Sequence, residues 1–155
     1  LNEVPDLNKQ TYTPNGGTNL LDAIGTAMAS VNEALAKRKK ADRPGVIITI
    51  MTDGAENSSR KFNNEQIKSM VAAAEAKDWT FTFLGANIDA FAVGSTFGMN
   101  ASNSVSYNVS NMDATMAAVS SSTFRMRMAK ADGVTTADLY AKGLYTADEK
   151  SKMTK

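Results

Sequence analysis

The clearest pattern in the chain is an unbroken apolar run, Val46-Ile47-Ile48-Thr49-Ile50-Met51, between Pro44-Gly45 and the polar loop Ala55-Glu56-Asn57-Ser58-Ser59. β-Branched residues without polar alternation suit a strand buried on both faces, as in a parallel sheet. Ahead of it, Leu20, Ile24, Met28, Val31 and Leu35 recur at spacings of four, four, three and four, which is one face of an amphipathic helix. Asn19 with Asp22 is expected to cap its start, and Lys37-Arg38-Lys39-Lys40 to favour its negative end. Gly25 inside it is expected to mark a close approach to the sheet. Behind the apolar run, Asn63 and Gln66 form a capping-box pair for a second helix with Ile67, Met70, Val71 and Ala74 on its buried face. Trp79 to Leu84 reads as a second strand ending in Gly85-Ala86-Asn87. A short helix from about Asp89 to Phe97 follows, then a strand around Ser104 to Val109. A long helix from about Met112 to Met128 presents Met112, Met116, Val119 and Phe124, and the methionines at helical spacing are expected to fill the core.

Strands and helices alternating in this way predict an α/β fold: a partial doubly wound, Rossmann-like parallel sheet flanked by helices. Residues 1–130 are expected to form that unit. Residues 131–155 read as a tail with two short helices, around Thr136 to Lys142 and Thr146 to Met153. Leu139, Tyr140, Leu144 and Tyr145 in it either dock on the domain or belong to a further module. Leu1 to Asn15, with Pro5 and Pro14, read as a connecting segment, and Asn15-Gly16-Gly17-Thr18-Asn19 as a tight turn. The chain opens on Leu1 rather than Met, so it reads as a processed product or a piece of a longer frame.

Composition narrows the chemistry. A chain of 155 residues, 43% hydrophobic and 21% charged, has room for one domain with a sizeable core. Lys and Arg number 17 against 16 Asp and Glu, so the net charge of +1 gives no pull toward nucleic acid or anionic lipid. There is no His and no Cys. That excludes a His-based triad, a thiol nucleophile, disulfides and zinc sites of nitrogen and sulfur ligands, and leaves hard-oxygen metal chemistry open. No apolar run reaches the roughly 20 residues that cross a bilayer, and a cytoplasmic protein without membrane association is expected.

Open parallel sheets bind ligands beyond the carboxyl ends of their strands, where Asp53 stands at the end of the apolar run. Gly16-Gly17-Thr18, leading the first helix, falls at the same edge, so a hydroxyl and a carboxylate are placed to share a hard cation. Asn87 and Asp89, at the end of the next strand, either line this rim or cap the short helix. Glu56 reads as an exposed loop acid. No G-x-G-x-x-G loop, P-loop or His base is present to support an enzyme.

Two segments carry a resemblance. Tyr12-Thr13-Pro14-Asn15-Gly16-Gly17-Thr18-Asn19-Leu20-Leu21-Asp22-Ala23-Ile24 resembles the metal-site threonine loop of the von Willebrand factor A-type (vWA) domain family. Ile50-Met51-Thr52-Asp53-Gly54-Ala55-Glu56-Asn57-Ser58-Ser59-Arg60 resembles the loop that carries its distal aspartate, and Trp79 to Phe91 is similar to stand-alone bacterial and phage members. The resemblance implies metal contacts from Thr18 and Asp53, with Gly16, Gly17, Asn19, Gly54, Glu56, Asn57, Asn87 and Asp89 on the rim. It also implies a non-enzymatic, Mg²⁺- or Mn²⁺-dependent protein-binding domain whose partner offers a carboxylate as the last ligand. The family's Asp-x-Ser-x-Ser motif, which follows its first strand, is absent, and the first strands with it. Metal binding is therefore expected of the intact domain and weakly, if at all, of this chain. The strand ending at Asp53 is expected to have an unpaired edge that favours self-association. Two alternatives stand beside this reading: a phosphate-handling hydrolase on a Rossmann-like sheet, and a metal-free assembly scaffold.

Overall fold

A computed structural model describes residues 8–12 and 16–155. Leu1 to Leu7 and Thr13 to Asn15, with most of the expected connecting segment and the first residue of the tight turn, lie outside the described residues. The element order is α1 (Leu20–Ala36), β1 (Ile47–Thr52), α2 (Asn64–Glu75), β2 (Thr80–Ala86), α3 (Ala90–Thr96), β3 (Ser104–Tyr107), α4 (Met112–Ala131), α5 (Thr136–Lys142) and α6 (Ala147–Thr154). The strands form one parallel sheet in the order β1-β2-β3, with Ile47 opposite Thr80 and Phe83 opposite Ser104. The chain is α/β, a three-stranded parallel sheet between helices. The two crossovers run the same way across the sheet, and α2 and α3 share one face with α1, as the right-handed rule for such connections requires.

Alternation along β2 sorts the two faces. Trp79, Phe81 and Phe83 pack against α1, α2 and α3 with Ile24, Met28, Ile67, Val71 and Phe97. Thr80, Thr82, Leu84 and Ala86 turn to the other face, which α4, α5 and α6 cover. All seven residues of β2 are buried, so it is the strand closed on both sides. The sequence points to β1 for that role. β1 is only half-buried, with Thr49 exposed, and among the described residues no strand pairs with its outer side, the unpaired edge that was also expected.

Local signals explain most of the helix starts. Asn63 and Gln66 form the expected reciprocal capping box of α2, and Thr135 with Asp138 and Thr146 with Glu149 form two more at α5 and α6. The expected Asn19 cap of α1 does not form; the groups that replace it come from another loop and are described below. Gly25 makes room for the ring of Phe62 rather than for the sheet: a Cβ there would stand 2.6 Å from Phe62 Cδ2.

The 131–155 segment docks on the sheet. Leu139, Leu144, Tyr145 and Met153 are buried in the second core, and Asn108 N–H donates to the Met153 carbonyl at 2.8 Å. β3 begins opposite Phe83, too late to pair with Phe81 on β2. The Tyr140 hydroxyl fills that gap by accepting the Phe81 N–H at 2.9 Å. This docking corrects the expected face of α4. Thr115, Ala118, Ser122 and Met126 are its buried residues, whereas Met112, Met116, Phe124 and Met128 are exposed. Small side chains let α4 approach closely, and Ser122 Oγ donates to the Leu144 carbonyl. Met28 fills the core as expected, and Met99, Met126 and Met153 join it.

Candidate functional site

Parallel strands place all their carboxyl ends at one rim, so Asp53 after β1, Asn87 after β2 and Tyr107 at the end of β3 lie at the same side of the sheet. Tyr107 was not singled out from the sequence, because an aromatic residue in a short strand reads as core. It is buried, and its hydroxyl pKa is raised by burial and by the negative charge of Asp53.

The two motif loops meet here. Thr18 N–H donates to Asn57 Oδ1 at 2.9 Å, and Asn57 N–H donates back to the Thr18 carbonyl at 3.1 Å. Thr18 Oγ1 lies 3.1 Å from where a Cβ on Gly54 would stand, so the hydroxyl abuts the turn that carries Asp53. Thr52 Oγ1 bonds both the N–H and the C=O of Gly54 and fixes that turn. Gly17 is needed for the approach: a Cβ there would collide with Ser58 Oγ. Gly16 is exposed, with nothing within 4 Å of where a Cβ would stand, and Asn19 is exposed.

Glu56 is not the exposed acid that its position suggests. Its Oε2 accepts the Leu21 N–H at 2.9 Å and the Ser59 hydroxyl at 2.8 Å, and its Oε1 accepts the N–H groups of Ser58 and Ser59 at 2.9 and 2.7 Å. Ser59 Oγ in turn accepts the Asp22 N–H at 3.0 Å. The orphan N–H groups of the first turn of α1 are thus satisfied from 37 residues or so further along the chain, which is why Asn19 need not cap. Burial raises the Glu56 pKa, but the donors on Ser59, Leu21 and Ser58 outweigh it and hold the carboxyl below its usual range. Asp22 reciprocates by accepting the N–H groups of Arg60, Lys61 and Phe62. Those bonds, the Arg60 one first, hold its carboxyl low against a smaller effect of burial.

The rim acids therefore divide. Glu56 and Asp22 are structural clasps, and Asp89 caps α3 by accepting from Phe91 and Ala92. Asn87 is exposed, with φ of 57°, a turn conformation that Asn tolerates. Asp53 is exposed, and no hydrogen bond from a described residue engages its side chain. Thr18 and Asp53 offer a hydroxyl and a carboxylate, the right donors for Mg²⁺ or Mn²⁺, but they supply only two of about six positions. No group of three or more acids able to hold a metal forms among the described residues. The donor set thus fits a hard cation in kind and falls short in number. No helix among the described residues is long and apolar enough to cross a membrane.

Comparison with protein-family models, with curated proteins and with solved structures returns no match.

Proposed function

We propose that residues 1–130 are the C-terminal portion of a vWA-type domain, a non-enzymatic module that binds a protein partner through a divalent cation held at the Thr18–Asp53 rim in the intact domain. The observation that carries the reading is the contact of the Thr18 hydroxyl with the Asp53-Gly54 turn, made across two loops joined by Asn57. An exposed, uncommitted carboxylate beside a hydroxyl leaves coordination positions for water and for a carboxylate from the partner. Partner binding and metal binding would then strengthen one another. The hydrolase alternative has no specific observation in its favour, since Glu56 and Asp89 are committed to backbone N–H groups.

Titration of the chain with Mg²⁺ and Mn²⁺, followed by NMR at the amides of Thr18, Asp53 and Gly54, tests the reading. Weak, saturable shifts confined to this rim and abolished by Asp53→Ala are expected. Rim amides that never respond, or that respond equally in Asp53→Ala, would remove the metal from the proposal. Tight stoichiometric binding would show that further ligands exist.

A further inference from the structure

We infer that Glu56 is a positioning residue of the rim: its carboxylate seats the start of α1 on the loop after β1 and so fixes Thr18 against the Asp53-Gly54 turn. α1 has no cap of its own, because the Asn19 side chain makes no capping bond. The N–H groups of Leu21 and Asp22 go instead to Glu56 Oε2 at 2.9 Å and to Ser59 Oγ at 3.0 Å, and the Ser59 hydroxyl donates on to Glu56 Oε2 at 2.8 Å. The cap of α1 is therefore built by a loop 35 residues away. Thr18 stands immediately before Asn19, so where the first turn of α1 is held, Thr18 is held with it.

The same carboxylate shapes the loop it stands on. Glu56 lies three residues beyond Asp53, and its Oε1 accepts the N–H groups of Ser58 and Ser59 at 2.9 and 2.7 Å, closing the loop on itself. One side chain thus takes four donors, two on each oxygen, and joins the loop that carries Asp53 to the helix that Thr18 leads. Hydrogen bonds to a carboxylate are roughly twice as strong as neutral ones. The other direct tie is Asn57, a neutral and exposed residue that bonds the N–H and C=O of Thr18 at 2.9 and 3.1 Å. Asn57 sets the final register, and Glu56 supplies most of the hold. Clearances at the junction are small: a Cβ on Gly17 would collide with Ser58 Oγ, and Thr18 Oγ1 lies 3.1 Å from where a Cβ on Gly54 would stand. A displaced loop would open both contacts.

Asp22 supplies the matched comparison. It is the reciprocal clasp, accepting the N–H groups of Arg60, Lys61 and Phe62 at 3.0, 2.9 and 3.0 Å. Those residues lead into α2, and the Phe62 ring packs over Gly25 of α1. Asp22 therefore fastens α1 to the approach of α2, whereas Glu56 fastens its start to the rim. The seating of Thr18 needs no cation. Its consequence for one rests on the metal reading proposed above: a hydroxyl already standing beside the Asp53-Gly54 turn spares a cation the ordering of two loops.

Native-state hydrogen exchange, NOE measurements and Mn²⁺ titration of the full chain test this. Glu56→Gln replaces one oxygen by an amino group, and whichever oxygen is lost, two donors lose their acceptor. The Thr18 and Leu21 amides should exchange on the order of 10-fold faster, and the NOE between Thr18 and Gly54 should fade, while Thr82 and Phe83 in β2 keep their wild-type rates. Glu56→Asp keeps the charge and can still accept from Ser58 and Ser59 in an Asx turn, but it is one methylene short of α1. It should loosen Thr18 in the same way, and it carries the test where Glu56→Gln fails to fold. Asp22→Asn should quicken exchange at Arg60 to Phe62 and leave Thr18 at its wild-type rate. Half-broadening of the Asp53 amide should take on the order of 10-fold more Mn²⁺ in the Glu56 variants, and the wild-type amount in Asp22→Asn, a contrast that lost stability alone does not produce. Thr18 exchange and NOE unchanged in both Glu56 variants, or equally disturbed by Asp22→Asn, overturn the inference. So does rim broadening that is identical in wild type and Glu56→Asp. A wild-type rim that Mn²⁺ never broadens ends the metal reading instead, and exchange and NOE at Thr18 then decide the seating.

Discussion

The two faces of the sheet are held by different physics, although β2 contributes to both. The α1–α3 face is mainly apolar: Phe81 and Phe83 are fully buried, Phe83 meets Phe97 edge-to-face at 5.9 Å, and Met28, Ile67 and Val71 pack with them. The α4–α6 face is laced with hydroxyls. Thr80 bonds Thr136 at 2.9 Å, Thr82 bonds Tyr145 at 3.2 Å, and Tyr140 bridges Phe81 and Glu75. Hydrophobic burial is non-directional, so the first face tolerates repacking better than removal of volume. Buried hydrogen bonds are directional and costly to leave half-made, so the second face is the one that fixes how the C-terminal helices dock.

The largest expected effect is on the apolar face. Phe83→Ala removes a fully buried ring and should cost about 3–5 kcal/mol in denaturant unfolding, a loss that a volume-conserving Phe83→Leu would largely avoid. On the polar face, Thr82→Val keeps the shape but strands the Tyr145 hydroxyl and should cost about 1–3 kcal/mol. Adding Tyr145→Phe should recover much of that loss, and additive costs in the double-mutant cycle would show that the pair is not coupled. A third test uses acid. Burial raises the pKa values of Asp78 and Glu149, but Lys130 with Thr136, and Arg125 with Thr146, outweigh it and hold both carboxyls low. Groups with depressed folded pKa values stabilise above the unfolded value and lose that contribution as pH falls through the folded one. Hydrogen exchange measured from pH 6 downward should therefore show α5 and α6 opening before α2 does, and simultaneous opening would erase the distinction between the faces. The smallest effect is expected outside both cores: Phe124, 65% exposed, should tolerate Ser within about 0.5 kcal/mol by thermal or urea unfolding.

Sequence by itself determined what depends on neighbours along the chain. The 3.6-residue period of α1, the capping box of α2, the strand character of Trp79 to Leu84 and the extents of α5 and α6 were all legible, because caps and periodicity are local. So was the placing of Thr18 and Asp53 at one rim, which follows from chain order in a parallel sheet. Tertiary structure decided what depends on distant partners. Glu56 and Asp22 became clasps because the N–H groups they accept lie 35 to 40 residues away. α4 turned Met112, Met116 and Met128 out because Leu144, Tyr145 and Met153, far along the chain, present a surface that Ala118 and Ser122 fit. β1 is as apolar as a strand closed on both faces and yet only half-buried among the described residues, since composition reports what a strand buries well and only packing decides how much of it is covered.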